Sequence, residues 1–348
     1  MVPTKNKTRI RGTSERGIAL VITLVLVTIL VTLLVEITYS TQVNVRIAAT
    51  SRDDLRAYYV ARSGIELAMA VLKSDWEDDQ KEKDEKQVEP DDNLGELWAN
   101  LTEAVASAQL LEPNLFGGGR LLVRIIDEDR KINTNLINAD PTSSIVERLF
   151  LDGEISEEFK SAISDWIDED QEETDPGGAE TRYYEDLEIP YPCKDRLMDT
   201  ISELHMIKGS EEAVVKTYEA FEGESPRLEG KWTLEELLSA VPERGHNINI
   251  NTAPGPVIMA LHEDIDRLEV EETLQDRSAD PFPRVSLFRD YFNNSFGISN
   301  LPPNLAVRSE YFSIESVGIV GEVEKRLVAT VHRDPNSGAL DVISWRIE

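Results

Sequence analysis

The sequence predicts an α+β protein in which one very long amino-terminal helix accompanies an antiparallel sheet, and three observations carry that reading. Neither glycine nor proline occurs from Ile18 through Ser63, so nothing local interrupts a helix there. A strand-like run, RLLVRIID, stands at residues 120–127, and strand character returns only near the carboxyl terminus. The stretch between, about residues 130–305, reads as a large, mostly α-helical insertion.

The 348 residues, 41% of them hydrophobic, suffice for one large or two modest folded domains. A net charge of -30 repels nucleic-acid phosphates and favours cations or basic partner surfaces, so nucleic acid is not an expected partner. The single cysteine, Cys193, cannot form an internal disulfide, and the fold must hold without one.

The helix begins with two halves of different character. Lys5, Lys7, Arg9, Arg11 and Arg16 precede the apolar run against the lone acid Glu15, a basic leader expected to stay cytoplasmic. Residues 18–35 carry no charge, and at 1.5 Å per residue they extend about 27 Å, near the hydrocarbon thickness of a bilayer. No small-x-small cleavage pattern follows, since Val35, Glu36, Ile37, Thr38 and Tyr39 occupy that place. Beyond the apolar run Val43, Ile47, Leu55, Tyr59 and Leu67 recur at helical spacing, so the helix is expected to continue to about Leu72 with an amphipathic second half. On these residues alone, a plain signal-anchor with a helical stalk also fits.

The junction Arg16-Gly17, followed at once by Ile18-Ala19-Leu20, resembles the class III leader of type IV pilins and type II secretion pseudopilins. That resemblance implies cleavage after Gly17 by prepilin peptidase on the cytoplasmic face, with Ile18 as the mature amino terminus and residues 1–17 as the leader. It also implies a pilin-like fold, residues 18–72 being the transmembrane and amphipathic helix packed on the antiparallel sheet. Most members of that superfamily carry a glutamate at the fifth mature position, which here is Ile22. An unpaired intramembrane charge is costly, and a subunit without that glutamate has no need to dock on a preceding one. In this the chain is similar to the K-type minor pseudopilins, the GspK family of bacterial type II secretion systems.

Residues 75–93, DWEDDQKEKDEKQVEPDDN, are mixed in charge and nearly devoid of apolar side chains, and are expected as a solvated loop or local disorder. LGELWANLTEAVASAQLL then reads as a short helical segment before the breaker EPNLFGGG and the first strand, so residues 73–129 are the start of the sheet domain. YFSIESVGIVGEVEKRLVATVHRD holds two strands about a turn at Gly321-Glu322, and ALDVISWRIE adds a third. Residues 306–348 thus complete the sheet around an inserted domain spanning 130–305.

The insertion contains an internal repeat: INTNLINADPTSSIVERLF from Ile132 and ININTAPGPVIMALHEDID from Ile248. Each copy places Ile-Asn-x-Asn ahead of a proline and an apolar helical run. Asparagine caps turns and proline suits a first helical turn, so paired turn-helix units are expected. A DNA-binding hairpin is not expected, because His262, Glu263, Asp264 and Asp266 follow the second copy where basic residues would be required. GspK sequences resemble the second copy in carrying an INxNTAP element.

One segment carries chemistry. DWIDEDQEETDPGGAE, residues 165–180, holds eight carboxylates and no cation. Such crowding is relieved by solvent or by a hard divalent cation with six to eight oxygen ligands, calcium above all, and the residues alone leave both open. It is not an EF-hand loop, because Glu173 stands where the sixth-position glycine is needed and Ala179 at the twelfth. The GspK family has a similar stretch that carries calcium. The resemblance implies Asp168, Asp170 and Glu180 as ligands, with Asp165 matching as well and Asp175 contributing from the longer loop, whereas Thr181 replaces a family aspartate. Asp127 and Asp129 are candidates for a second site.

No phosphate loop, His-Glu-x-x-His, cysteine pair or Gly-x-Ser-x-Gly occurs, and the four histidines are scattered, so no enzyme is expected. The resemblance implies a minor pseudopilin at the tip of a periplasmic pseudopilus that initiates assembly and supports export across the outer membrane. Its partners would be the I and J minor pseudopilins and other pseudopilus subunits. The expected placement is single-pass in the bacterial inner membrane, with the amino terminus cytoplasmic and the globular part periplasmic. A type IV pilus minor pilin and a signal-anchored periplasmic enzyme are the alternatives.

Overall fold

The computed structural model describes residues 14–86, 89–242 and 247–347. The expected leader, apart from its last four residues, and His246 lie outside them. The chain divides into two units, one through Arg56 and the other from Ala57 to Glu348.

Helix α1 (Ser14–Lys86) is continuous through both segments. In the first unit the apolar side chains from Ile18 to Val35 are all exposed, and this is the one described helix long and apolar enough to cross a membrane, with a mean hydropathy of 3.2 over its best window. Its hydroxyls suit that role. Thr23, Thr28 and Thr32 each donate to a backbone carbonyl one turn back, so none needs water.

In the second unit α1 lies on a four-stranded antiparallel sheet. Strand β1 (Arg120–Asp127) pairs with β2 (Tyr311–Val320), β2 with β3 (Val323–Arg333), and β3 with β4 (Leu340–Ile347). All four strands fall where the hydrophobic pattern put them, and the fold is the expected α+β arrangement. Along β2 buried and half-buried residues alternate, as period-two side-chain placement requires. Ala57, Ala61, Ile65, Ala68 and Leu72 form the buried stripe of α1, and helix α2 (Leu101–Leu111) adds Leu101 and Val105 to the same core. The approach of helix to sheet is close enough to need glycine on both sides. A Cβ at Gly64 would stand 2.1 Å from the Ser316 hydroxyl, which itself donates to the Ala61 carbonyl at 2.6 Å.

The helix does not end at residue 72. It runs fourteen residues further, to Lys86, through much of the segment expected as a solvated loop. Tertiary contacts override the composition there: Arg333 on β3 pairs with Asp75 at 3.1 Å, and Arg308 with Asp79 at 3.7 Å. The Trp76 ring packs where a Cβ on Gly338 would stand. Helix α2 is in turn shorter than expected. Residues 94–100 are wound as turns because Asn93 and Asn100 bond the local backbone instead.

A second hydrophobic core is built wholly from residues 132 to 305. The two repeats enter it alike. In each, the first asparagine side chain accepts the amide two residues on, Asn133 from Asn135 at 3.1 Å and Asn249 from Asn251 at 3.0 Å. The second asparagine then clamps a distant backbone through both its amide atoms, Asn135 on Met198 and Asn251 on Phe282. The helices that follow, α3 (Thr142–Asp152) and the short Gly255–Met259 turn, meet through Arg148, which donates to the carbonyls of Ala260 and Leu261 at 2.6 and 3.0 Å. The repeat is therefore a pair of mutually packed turn-helix units.

Candidate metal centre

Helix α4 (Glu157–Ile167) sets the site. Ser156 caps its amino end by accepting the Phe159 amide, and Phe159, Ala162, Ile163 and Trp166 bury its inner face. That burial fixes Asp165, itself fully buried, at the last turn. The loop beyond α4 folds back over it. The Thr174 amide donates to Asp165 at 3.0 Å, and a Cβ on Gly178 would stand only 2.1 Å from an Asp165 carboxyl oxygen, so glycine is required there. Lys208 holds the same turn by donating to the Gly177 and Gly178 carbonyls at 3.0 and 3.1 Å.

The folded-back loop brings Asp168, Asp170 and Glu180 together, with one oxygen of each within 4.8 Å of the others. Glu180 is the residue preceding the short Thr181–Glu185 helix and is only 3% exposed. A second set overlaps the first: Glu180, Cys193 and Asp195 also bring their donor atoms within 4.8 Å of one another. Both Glu180 oxygens, Asp168 Oδ1 and Asp195 Oδ1 are buried without a hydrogen-bond partner. Orphaned buried carboxylate oxygens are costly unless a cation takes them, and this donor set is the oxygen-rich kind that suits a hard divalent ion. Burial, followed by the charges of Asp165 and Asp168, pushes the Glu180 carboxyl up to about 7. Asp168 is raised by burial first and then by Asp170 and Asp165.

Of the expected ligands, three are thus gathered. Asp165 brackets the loop through Thr174, and Asp175 is exposed and outside both donor sets. Asp195 joins from a loop fifteen residues beyond Glu180. Its backbone is in the left-handed region at φ 51°, and its Oδ2 accepts from Gln171 at 3.0 Å. Sequence spacing carried no signal for it. Asp127 and Asp129 belong to a different setting. Asp127 is buried and accepts from Thr252 at 2.5 Å, Ser309 at 2.6 Å and Asn249 at 3.3 Å, while Asp129 accepts from the Glu310 amide at 2.6 Å. Asp127 ties β1 to the second repeat, and Asp129 holds the backbone at Glu310 and Tyr311.

A long helix laid on an antiparallel sheet, an apolar amino-terminal segment and an inserted module built on two Asn-x-Asn units define the class of pilin-like subunits. Two family models described as type II secretion system protein K match residues 122–221 and 248–315, one over each repeat. Type II secretion system protein K of Pseudomonas aeruginosa is 28% identical over 329 residues, covering 92% of this chain and 89% of that one. The Aeromonas hydrophila protein of the same name is 23% identical over 89% of this chain and 91% of its own length. A solved GspK-GspI-GspJ complex from enterotoxigenic Escherichia coli has a chain of similar fold, with a TM-score of 0.62 at 18% identity, covering 86% of this chain and 99% of that one. The chain is similar to the type II secretion system protein K family in sequence and in fold.

Proposed function

We propose that this chain is a tip subunit of the type II secretion pseudopilus that acts by assembly and not by catalysis. Prepilin peptidase would cut between Gly17 and Ile18. Residues 18–35 would hold the precursor in the inner membrane, amino terminus cytoplasmic, until the helix is drawn into the filament. The observation that carries the reading is the combination of an uncharged Ile18–Val35 segment, lacking a glutamate at Ile22, with a large insertion borne by the same chain. Partners of the I and J type are supported by the fold shared with a subunit of the GspK-GspI-GspJ complex. With such partners beside its helix, a wide head favours the filament end and the initiation of assembly that supports export.

Calcium belongs to the same proposal. Asp168, Asp170, Glu180 and Asp195 would hold it, and it would supply charge that lets four mutually repelling carboxylates share one site. Asp165, Gly178 and Lys208 hold that loop in place from the protein side.

The test is the intact mass and amino-terminal sequence of protein extracted from membranes of cells that have prepilin peptidase. A start at Ile18 with a methylated amine supports the proposal. A start at Met1 overturns it in favour of a signal-anchored periplasmic protein, and a start beyond Val35 overturns it in favour of a periplasmic protein freed of its apolar segment.

A further inference from the structure

The two donor sets share Glu180, but only one of them contains sulfur. Cys193 is buried, and its thiol donates to the Asp165 carbonyl at 3.5 Å while its amide donates to Thr181 Oγ1 at 3.2 Å. The side chain is thereby held at the wall of the cradle. Beside it stand the unpartnered Oδ1 of Asp195 and the two unpartnered oxygens of Glu180, a residue 97% buried by its 3% exposure. Ligands around a tetrahedral ion at 2.0–2.3 Å lie roughly 3.3–3.8 Å apart, so donors already within 4.8 Å need to close in by at most about 1.5 Å.

We propose that Glu180, Cys193 and Asp195 form a binding site for a thiophilic divalent cation of the zinc class, overlapping the oxygen-only calcium set at Glu180 and Asp195. The inference rests on the metal-centre reading above and extends it to a second kind of ion. Binding forms a metal–sulfur bond and breaks the S–H bond, and the proton leaves to solvent. No electron is transferred. The carboxylates that crowd the thiol disfavour a bare thiolate, and a divalent charge placed among them reverses that sign. Carboxylate and water suit calcium, whereas thiolate selects zinc and its congeners, so the two sets differ in the ion they prefer. Because Glu180 and Asp195 cannot serve both fully, each ion lowers the affinity of the other reciprocally.

The experiment is a titration of the full chain, solubilised in detergent, with cadmium chloride, read by the ultraviolet sulfur-to-cadmium charge-transfer band. Cys193 is the chain's one cysteine, so the band has a single possible source. The expected result is a band that saturates at one cadmium per chain with unchanged circular dichroism and is lost in Cys193→Ser. Cadmium should also lower calcium affinity in equilibrium dialysis by roughly tenfold. Calcium binding without any band overturns the proposal and leaves the calcium reading standing. A band without calcium binding supports the proposal and removes calcium. A band that grows only as the folded dichroism is lost, or no binding of either ion, overturns the proposal. Should Cys193→Ser fail to fold, Asp195→Asn and Glu180→Gln must each weaken cadmium binding; two unchanged titrations overturn the proposal equally.

Discussion

Gly318 on β2 lies against the backbone of Ala57 on α1, so close that a Cβ at 318 would stand 2.1 Å from the Ala57 carbonyl oxygen and 2.6 Å from the Ala61 amide nitrogen. Backbone atoms cannot swing aside as a flexible side chain can. Gly318→Ala is therefore expected to push helix and sheet apart at the core and destabilise the protein by about 1–3 kcal/mol, the usual cost of overpacking. Chemical denaturation measures it. A loss under about 0.5 kcal/mol, the ordinary level of a surface substitution, would show that the helix does not sit this close.

Arg333 and Asp92 make a second, electrostatic, tie. Both are essentially fully buried, and the guanidinium reaches Asp92, Asp75 at 3.1 Å and the Ser309 carbonyl at 2.9 Å. Removing one partner strands the others in low dielectric. Arg333→Met is expected to cost about 3–5 kcal/mol, while a double change of Arg333 and Asp92 to apolar residues should recover part of that loss. An unaltered denaturation midpoint in Arg333→Met would sink this account.

Glu96 gives the pH dependence its sign. Burial first, then the charges of Asp75 and Asp92, pushes its carboxyl from 4.5 up to about 9. A carboxyl raised on folding binds its proton more tightly in the native state, so its stabilising contribution is complete below 4.5 and is lost as pH rises through about 9. Stability should thus fall between those limits from this group. In Glu96→Gln, which stays neutral at every pH, the fall should be shallower when melting temperatures are compared across the range. An identical slope in the variant would assign the effect elsewhere.

Much of this architecture could be read in advance because it rests on local periodicity. The run RLLVRIID, the turn at Gly321-Glu322 and the uncharged stretch after Gly17 each signal their element without reference to the rest of the chain. What escaped depends on partners distant in sequence. The acid-rich residues 75–86 look unstructured until Arg308 and Arg333, more than two hundred residues on, supply their counter-charges. The candidate metal centre divides in the same way. Asp168, Asp170 and Glu180 stand in one acidic segment and were named together through its resemblance to the family's stretch, whereas Asp195 enters only through the packing of a separate loop held by Gln171. Asp165 shows the converse, a carboxylate in the right segment whose oxygens are occupied by the Thr174 amide.

That division makes the calcium prediction specific to particular side chains. Calcium at one hundred times its dissociation constant should stabilise the native state by about 2.7 kcal/mol, since the unfolded chain does not gather these carboxylates. For a domain of this size each kcal/mol moves the melting temperature by about 2–4 °C, so the shift is well within reach of calorimetry, and a chelator should reverse it. Asp168→Asn and Glu180→Gln should abolish the shift. Asp195→Asn should reduce it, although its place in the sequence gives no hint of the role, and Asp175→Asn should leave it intact because that residue lies outside both donor sets. Asp165→Asn is expected to lower stability with calcium present or absent, because its oxygens accept the Thr174 amide that shapes the loop. Equal calcium responses in Glu180→Gln and the unmodified chain would dismiss the cradle as a calcium site and return its orphaned oxygens to solvent.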